Sequence, residues 1–230
     1  MKARLLKYFK KYLTIVGARM PVYGLFASQM IVNYMKLGRW YIDNNFELPS
    51  RSVDRDAVFQ RVVDIIGGDE VLYLEFGVHK GASMKFWSAA LTNKNTNLIG
   101  FDSFEGLPEA WGDDANYQKG ALDVGGKLPD INDVRVKFQK GWFEETLPVF
   151  EFPEYETLII MLDADLYSST KYVLVTLNSR ITTGTYIFFD DMNRPEHEPK
   201  AFHEYIIETG KSFELIATDY ALNRSFFRCK

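Results

Sequence analysis

The chain has 230 residues, of which 47% are hydrophobic and 25% are charged, a composition typical of one globular domain of ordinary size, with room for an appendage. Its net charge of −4 argues against general nucleic-acid binding, so we expect no nucleic-acid partner. The single cysteine, Cys229, excludes an intrachain disulfide and is compatible with a reducing compartment. We therefore expect a cytoplasmic location.

The N-terminal segment, residues 1–49, is basic and aromatic-rich. Residues 1–40 hold eight Lys and Arg residues and no acidic residue, whereas the remainder holds 19 basic and 31 acidic residues. Residues 2–16 predict a basic amphipathic helix. Arg19 and Pro21 interrupt the apolar stretch, which argues against a signal peptide and a transmembrane helix.

We expect this segment to be a helical extension that packs on its own domain, covers the substrate or forms a dimer contact. Contact with an anionic membrane surface is an alternative. We also expect a homodimer or a higher homo-oligomer.

From residue 50 onward, strand and helix patterns alternate, with Ser50 or Ser52 expected to cap the first helix. Helices are predicted over residues 53–66, 81–92, 168–179 and 197–209. Strands are predicted over residues 71–76, 97–101, 134–138, 157–162, 185–189, 213–217 and 225–229. This alternation predicts an α/β fold with a mainly parallel sheet covered by helices on both faces. Residues 104–133, rich in Gly and Pro, break the rhythm and predict a functional lid or a poorly ordered segment.

Two polar signals follow the first two predicted strands. Gly77 and Gly81 permit a tight turn and a close approach of ligand to backbone, and the next helix offers free N–H groups to a carboxylate or phosphate. Their spacing differs from that of the G-x-G-x-x-G dinucleotide motif. Asp102, at the end of the second strand, is placed to accept hydrogen bonds from ribose hydroxyls. These features predict an adenosine-type ligand, although Asp102 capping a loop turn is the alternative.

A second set of acidic residues follows the fourth and fifth predicted strands. Asp163 and Asp165 follow the apolar run at 158–162, and Asp190 and Asp191 follow the run at 185–189. If these strands are neighbours, the carboxylates converge and repel one another unless a cation lies between them. Oxygen ligands suit Mg²⁺ or Ca²⁺. Capping of the following helices is the alternative for one of the acids.

The stretches LEFGVHKGAS, GFDSFEGLP, KGWFEETLP, LDADLYSST and FFDDM, in this order, resemble the macrocin O-methyltransferase family over about residues 50–230. Members of this family methylate sugar hydroxyls on macrolides, aminocoumarins and related natural products. The resemblance implies a Rossmann-like class I methyltransferase fold, a seven-stranded sheet with the last strand antiparallel, and S-adenosylmethionine as cofactor.

The resemblance also implies roles for individual residues. Cofactor contacts are implied for Glu75, Gly77, Val78, Gly81, Ser83, Asp102, Ser103, Trp142 and Phe143, although the two aromatic residues could equally be packing residues. Mg²⁺ ligands are implied at Asp163, Asp190 and Asp191, and the general base at Asp165. His197 and His203 are alternative bases. The acceptor is a small molecule or glycoside whose identity the sequence does not give. The alternatives are a catechol or phenol acceptor and a non-catalytic binding protein on the same fold.

Overall fold

The computed structural model describes residues 2–111 and 116–230, with side chains described from Leu5 onward. Its strands are β1 (Val71–Phe76), β2 (Asn97–Asp102), β3 (Val136–Lys140), β4 (Thr157–Leu162), β5 (Tyr186–Phe189), β6 (Phe213–Thr218) and β7 (Ser225–Cys229). Its helices are α1 (Lys2–Arg19), α2 (Val22–Asp43), α3 (Arg55–Ile66), α4 (Ala82–Ala90), α5 (Phe143–Thr146), α6 (Tyr167–Thr176) and α7 (Glu198–Thr209). All seven predicted strands form, and all except β3 bury most of their residues; β3 spans Val136–Lys140, not the predicted 134–138, and Val134 is 96% exposed.

The strands form one sheet in the order β3-β2-β1-β4-β5-β7-β6. The pairs β1–β2, β1–β4, β2–β3 and β4–β5 are parallel. Strand β7 runs antiparallel to both β5 and β6. The predicted fold, a mostly parallel seven-stranded sheet with an antiparallel last strand, is confirmed. The strand order reverses between β1 and β4, which is where open α/β sheets bind ligands at the carboxyl ends of their strands.

Alternating residues of the strands face two separate cores. In β1, Leu72 and Leu74 belong to a cluster that contains residues of α2, α6 and α7. Tyr73 faces the opposite way, into a cluster with residues of α3 and α4. Since both faces are covered, every residue of β1 is buried.

The start of α3 differs from the prediction. Asp54 is the N-cap, and its carboxylate accepts a hydrogen bond from the Ala57 N–H at 2.9 Å. The prediction of Ser50 or Ser52 as the cap is therefore wrong. The Ser52 N–H instead donates to the Thr218 carbonyl at 2.8 Å, and the Ser50 hydroxyl accepts from Arg61. The chain before α3 is extended and tied to the end of β6, so the helix starts later.

The two N-terminal helices differ in how they meet the rest of the chain. The described side chains of α1 are exposed or half-exposed. At the end of α2, Tyr41 is fully buried and its hydroxyl lies 2.8 Å from the Ser225 hydroxyl. Trp40 donates from Nε1 to Nδ1 of His203 at 3.3 Å. The segment is thus anchored through the end of α2. Among the described residues, no helix is long and apolar enough to cross a membrane.

The described parts of the 104–133 connection are held together by backbone hydrogen bonds. The Leu107 N–H donates to the Ala121 carbonyl at 2.8 Å, and the Trp111 N–H donates to the Tyr117 carbonyl at 2.8 Å. Leu107 and Trp111 pack with Leu166, which follows β4. Residues 112–115, including Gly112 of the predicted lid, lie outside the described residues. Whether this connection acts as a lid stays a prediction.

Candidate active site

A cavity of about 590 Å³ opens at the carboxyl edge of the sheet, beside the β1–β4 switch point. Its walls come from the loops that follow β1, β2 and β4 and from the start of α5. Seven of the residues predicted for the site lie on these walls: Gly77, Asp102, Ser103, Trp142, Phe143, Asp163 and Asp165. Its volume is in the range of small-molecule and cofactor sites in proteins.

Gly77 brings the ends of β1 and β4 together. Its φ is +94°, and a Cβ built on it would lie 1.9 Å from the carbonyl oxygen of Asp163. A side chain cannot be accommodated there without moving one of the two backbones. The absence of a side chain at Gly77 therefore allows the ends of β1 and β4 to lie in close contact, in addition to allowing the turn that the sequence predicts.

Asp102 organises the loop after β1. Its Oδ2 accepts the N–H groups of Val78 and His79, both at 2.8 Å, and its Oδ1 accepts the Phe104 N–H at 2.7 Å. The bond to Phe104 is the turn-capping contact considered as the alternative to ribose binding. A carboxylate has about four acceptor positions, so one position on Oδ1 stays available on the cavity wall. The geometry is compatible with both roles.

Four predicted cofactor residues are not among the described residues that line the cavity. They are buried behind the wall: Glu75, Val78, Gly81 and Ser83. The alternation of β1 turns Glu75 toward the α3 and α4 side, where the Tyr73 hydroxyl donates to its Oε2 at 2.7 Å. Burial raises the pKa of Glu75 to about 8. Direct contact of these residues with a cofactor stays a prediction.

Trp142 and Phe143 both lie on the cavity wall at the start of α5. Phe143 also packs edge-to-face on Phe76, with ring centroids 5.3 Å apart. Phe143 therefore contributes both to packing and to the cavity wall. A packing role and a cofactor contact are compatible for this residue.

The four aspartates after β4 and β5 influence one another strongly. Burial raises the pKa of Asp163 well above its usual range, and the charges of Asp190 and Asp165 raise it further. Burial, with the neighbouring Asp191, raises the pKa of Asp165 to about 8. Burial and Asp190 raise the pKa of Asp191 to about 6. Because β4 and β5 are parallel neighbours with Leu162 paired to Phe189, the aspartates that follow them lie at the same edge of the sheet, as the sequence predicted.

This acidic edge is partly neutralised by arginine. The Arg224 Nε donates to Asp190 Oδ1 at 3.0 Å, and the charge of Arg194 favours the ionised forms of Asp165 and Asp191. Within residues 2–111 and 116–230, no group of three or more His, Cys, Asp or Glu side chains is arranged to hold a metal ion. The donor chemistry, several hard carboxylate oxygens that repel one another, suits Mg²⁺. Closing a site around the ion would require these side chains to turn toward it.

Glu198 is a residue of this edge that sequence analysis missed. It is fully buried at the first position of α7, and its Oε2 accepts the Asp191 N–H at 3.0 Å. Its Oε1 is buried without a hydrogen-bond partner among the described atoms. Burial raises its pKa well above the usual range, and the Asp191 charge adds to this. From sequence, a glutamate in a first helical turn predicts only a favourable interaction with the helix dipole.

The two histidines considered as alternative bases have packing contacts. His203 accepts the Trp40 hydrogen bond at 3.3 Å. The ring of His197 lies edge-to-face on Trp111 at 6.2 Å, and burial together with Arg194 lowers its pKa. Arg194 also stacks on Trp111, 4.6 Å from the ring centroid. These contacts favour a structural role for both histidines.

Comparison with known proteins identifies relatives of the chain. A family model described as macrocin-O-methyltransferase (TylF) matches residues 53–222. A tetracenomycin-C-type rhamnosyl 4'-O-methyltransferase of Streptomyces olivaceus is 32% identical over 56% of this chain and 55% of its own length. Demethyldecarbamoylnovobiocin O-methyltransferase of Streptomyces niveus is 30% identical over 71% of this chain and 69% of its own length. The chain thus spans little more than half of the first of these relatives.

Two solved structures share the fold. CalS11, a calicheamicin methyltransferase, has a TM-score of 0.58 at 22% identity, with 76% of each chain covered. The O-methyltransferase NovP has a TM-score of 0.54 at 27% identity, also with 76% of each chain covered. The sheet described above is therefore that of the class I methyltransferases, as the sequence predicted.

Proposed function

Because the chain belongs to the macrocin-O-methyltransferase (TylF) family, we propose that it transfers a methyl group from S-adenosylmethionine to a hydroxyl of a sugar or glycosylated natural product. The observation that carries the proposal is the cavity at the β1–β4 switch point, which has Asp102 on one wall and Asp163 and Asp165 on another. The relative named as a rhamnosyl-tetracenomycin-C 4'-O-methyltransferase supports the acceptor class.

The cofactor half of the cavity is assigned to the loops after β1 and β2. Gly77 leaves backbone without a side chain at this wall, and Asp102 holds the loop through Val78 and His79. In this proposal the remaining acceptor position of Asp102 takes a ribose hydroxyl, and Ser103 and Trp142 border the adenine. When bound, S-adenosylmethionine supplies the reactive methyl group, and the protein supplies alignment and electrostatics.

The proposed ligands of Mg²⁺ are Asp163, Asp190 and Asp191. Burial raises the pKa values of Asp163 and Asp191, and the charges of the neighbouring aspartates raise them further, which supports a cation at this edge. When bound, the ion would lower the pKa of an acceptor hydroxyl and orient its oxygen. Glu198 would hold the backbone of Asp191 in place through the bond to its N–H.

Asp165 is the proposed general base. It lies on the cavity wall, is 8% exposed and has a left-handed φ of +61°, a conformation that is uncommon outside glycine and often found at functional sites. In this proposal the Asp165 carboxylate would accept the proton of the acceptor hydroxyl when that oxygen takes the methyl group from the cofactor sulfur, with S-adenosylhomocysteine as the leaving product. Burial keeps the proton affinity of this carboxyl high, which favours the transfer.

Calorimetric titration of S-adenosylhomocysteine into the protein, with Mg²⁺ and with EDTA, tests the proposal. We expect micromolar or tighter binding in both solutions, and methylation of acceptors only with Mg²⁺. A panel of glycosides and catechols separates the sugar acceptor from the phenol alternative. Absence of binding in both solutions would favour the non-catalytic alternative.

The remaining assignments are also proposals. We propose residues 1–49 as the extension and residues 50–230 as the methyltransferase domain, in a cytoplasmic protein whose only cysteine, Cys229, is a buried free thiol. The homodimer or higher homo-oligomer predicted from the sequence stays a prediction, which analytical ultracentrifugation would test.

A further inference from the structure

The N-terminal helices expose a large apolar surface. In α1, Leu5 is 73% exposed, Phe9 is 56% exposed and Tyr12 is 64% exposed. In the first half of α2, Tyr23 and Ile31 are 81% and 64% exposed. Isolated exposed apolar residues are ordinary, but a continuous set on two successive helices marks a surface that meets an apolar partner.

The apolar residues of α1 lie on one side of the helix. Leu5, Phe9, Tyr12 and Val16 are separated by four, three and four positions, which places them on one stripe. Such a stripe can enter an apolar phase while the rest of the helix stays in water.

Three of the cations of α1 lie on the opposite side. Lys10 and Lys11 follow Lys7 by three and four positions, and the three lysines fall about half a turn away from the apolar stripe. None of these three lysines forms an ion pair with a described residue, since the ion pairs of the described chain begin at Lys36. The helix contains no acidic residue.

The second half of α2, which follows the exposed part, contacts the loop after β5. The Asn193 Nδ2 donates to the Tyr34 hydroxyl at 3.1 Å, and Lys36 lies 4.0 Å from Glu196. The same loop contains Arg194, whose charge acts on Asp165. The exposed part of α2 and α1 therefore extends from the side of the protein that carries the acidic edge.

We propose that α1 and the first half of α2, residues 2–32, bind the surface of an anionic lipid bilayer. An apolar stripe with cations on the other face and no acidic residue matches a helix that lies in the headgroup region, where both apolar burial and attraction to anionic lipid contribute. A second copy of the chain would cover the apolar stripe but would offer no counter-charge to the lysines from its own α1, which contains no acidic residue, whereas anionic lipid supplies both an apolar phase and negative charge.

Co-sedimentation of the full chain with vesicles tests this proposal. We expect at least tenfold tighter binding to vesicles of 70% phosphatidylcholine and 30% phosphatidylglycerol than to phosphatidylcholine alone in about 0.1 M salt, and weaker binding as salt rises because the charges are screened. The charge variant combines Lys7→Glu, Lys10→Glu and Lys11→Glu. It should lose this preference.

Two further variants control for net charge and for the apolar stripe. The matched control makes the same charge change at exposed lysines outside the segment: Lys85→Glu, Lys94→Glu and Lys137→Glu. It should bind the anionic vesicles within about threefold of the unmodified protein. The stripe variant, Leu5→Ser with Phe9→Ser, keeps every charge and should also lose binding. Because these side chains are exposed, all variants should keep the thermal unfolding midpoint of the unmodified protein.

Equal binding to both vesicle types, or binding to neither, would overturn the proposal. Loss of binding in the control variant would also overturn it, because net charge alone would then explain the result. Concentration-dependent self-association that the stripe variant abolishes, without vesicle binding, would identify a second copy as the occupant. Titration with S-adenosylhomocysteine keeps the two proposals separate: the charge variant should bind it like the unmodified protein, whatever the vesicles show.

Discussion

Replacing Gly77 with alanine tests whether the approach of β1 to β4 builds the cavity. The new Cβ would lie 1.9 Å from the Asp163 carbonyl oxygen, whereas ordinary contact begins near 3.4 Å, so one backbone must move by about 1.5 Å. The left-handed φ costs about 1–2 kcal/mol for a residue with a Cβ, and overpacking costs about 1–3 kcal/mol more. We expect the free energy of unfolding to fall by about 2–5 kcal/mol.

Gly184→Ala is the matched control. Gly184 has a φ of +92°, close to the +94° of Gly77, but a Cβ there meets nothing within 4 Å. It should therefore lose only the backbone contribution of about 1–2 kcal/mol. Urea denaturation gives the two free energies of unfolding, and calorimetry gives the affinity for S-adenosylhomocysteine.

The expected difference extends to ligand binding. Displacement of either strand end by about 1.5 Å should weaken S-adenosylhomocysteine binding at least tenfold in Gly77→Ala, because Gly77 and Asp163 both form part of the cavity wall. Gly184→Ala should bind normally. Equal loss of stability in the two variants, with unchanged affinity in Gly77→Ala, would refute the assigned role of this contact.

Three further changes test separate parts of the site. Asp165→Asn should reduce turnover by at least 10²-fold while S-adenosylhomocysteine affinity changes less than threefold; near-normal turnover would remove Asp165 as the base. Asp102→Ala should weaken S-adenosylhomocysteine binding at least tenfold, since it releases the N–H groups of Val78 and His79; unchanged affinity in calorimetry would contradict the ribose assignment. Because burial raises the pKa of Glu75 from 4.5 to about 8, its contribution to stability is full below pH 4.5 and is lost as pH rises through about 8. Urea denaturation at pH 5, 6.5 and 8 should therefore show a shallower pH dependence in Glu75→Gln, and an unchanged slope would contradict the buried, protonated carboxyl.

Local sequence patterns are sufficient to predict the strands of the sheet and part of the site. The apolar run at 158–162 predicts a buried strand, and parallel neighbours bring Asp163 and Asp190 to one edge without further information. The cap of α3 was mispredicted because Ser52 has a tertiary partner in Thr218, which lies far along the chain. A local capping pattern gives no information about a hydrogen bond to a distant part of the chain.

The arginine and glutamate of the acidic edge could not be predicted for a related reason. Arg224 meets Asp190 across 34 positions of sequence, within an antiparallel turn that carries no motif. Glu198 is close to Asp191 along the chain, but its full burial depends on how α7 packs on the sheet. Both are consequences of packing, which a single sequence does not display.

The hydrogen bond between Tyr41 and Ser225 has a consequence for how the chain is made. Its partners are 184 positions apart, so at synthesis rates of about 5–20 residues per second the Tyr41 site stays incomplete for about 10–40 s. During that interval α2 lacks β7, on which Tyr41 packs, and the apolar stripe of α1 is already outside the ribosome. The N-terminal segment thus emerges well before the residues of β7 that help to anchor it. Its aggregation during synthesis would depend on chaperones or on any apolar surface within reach.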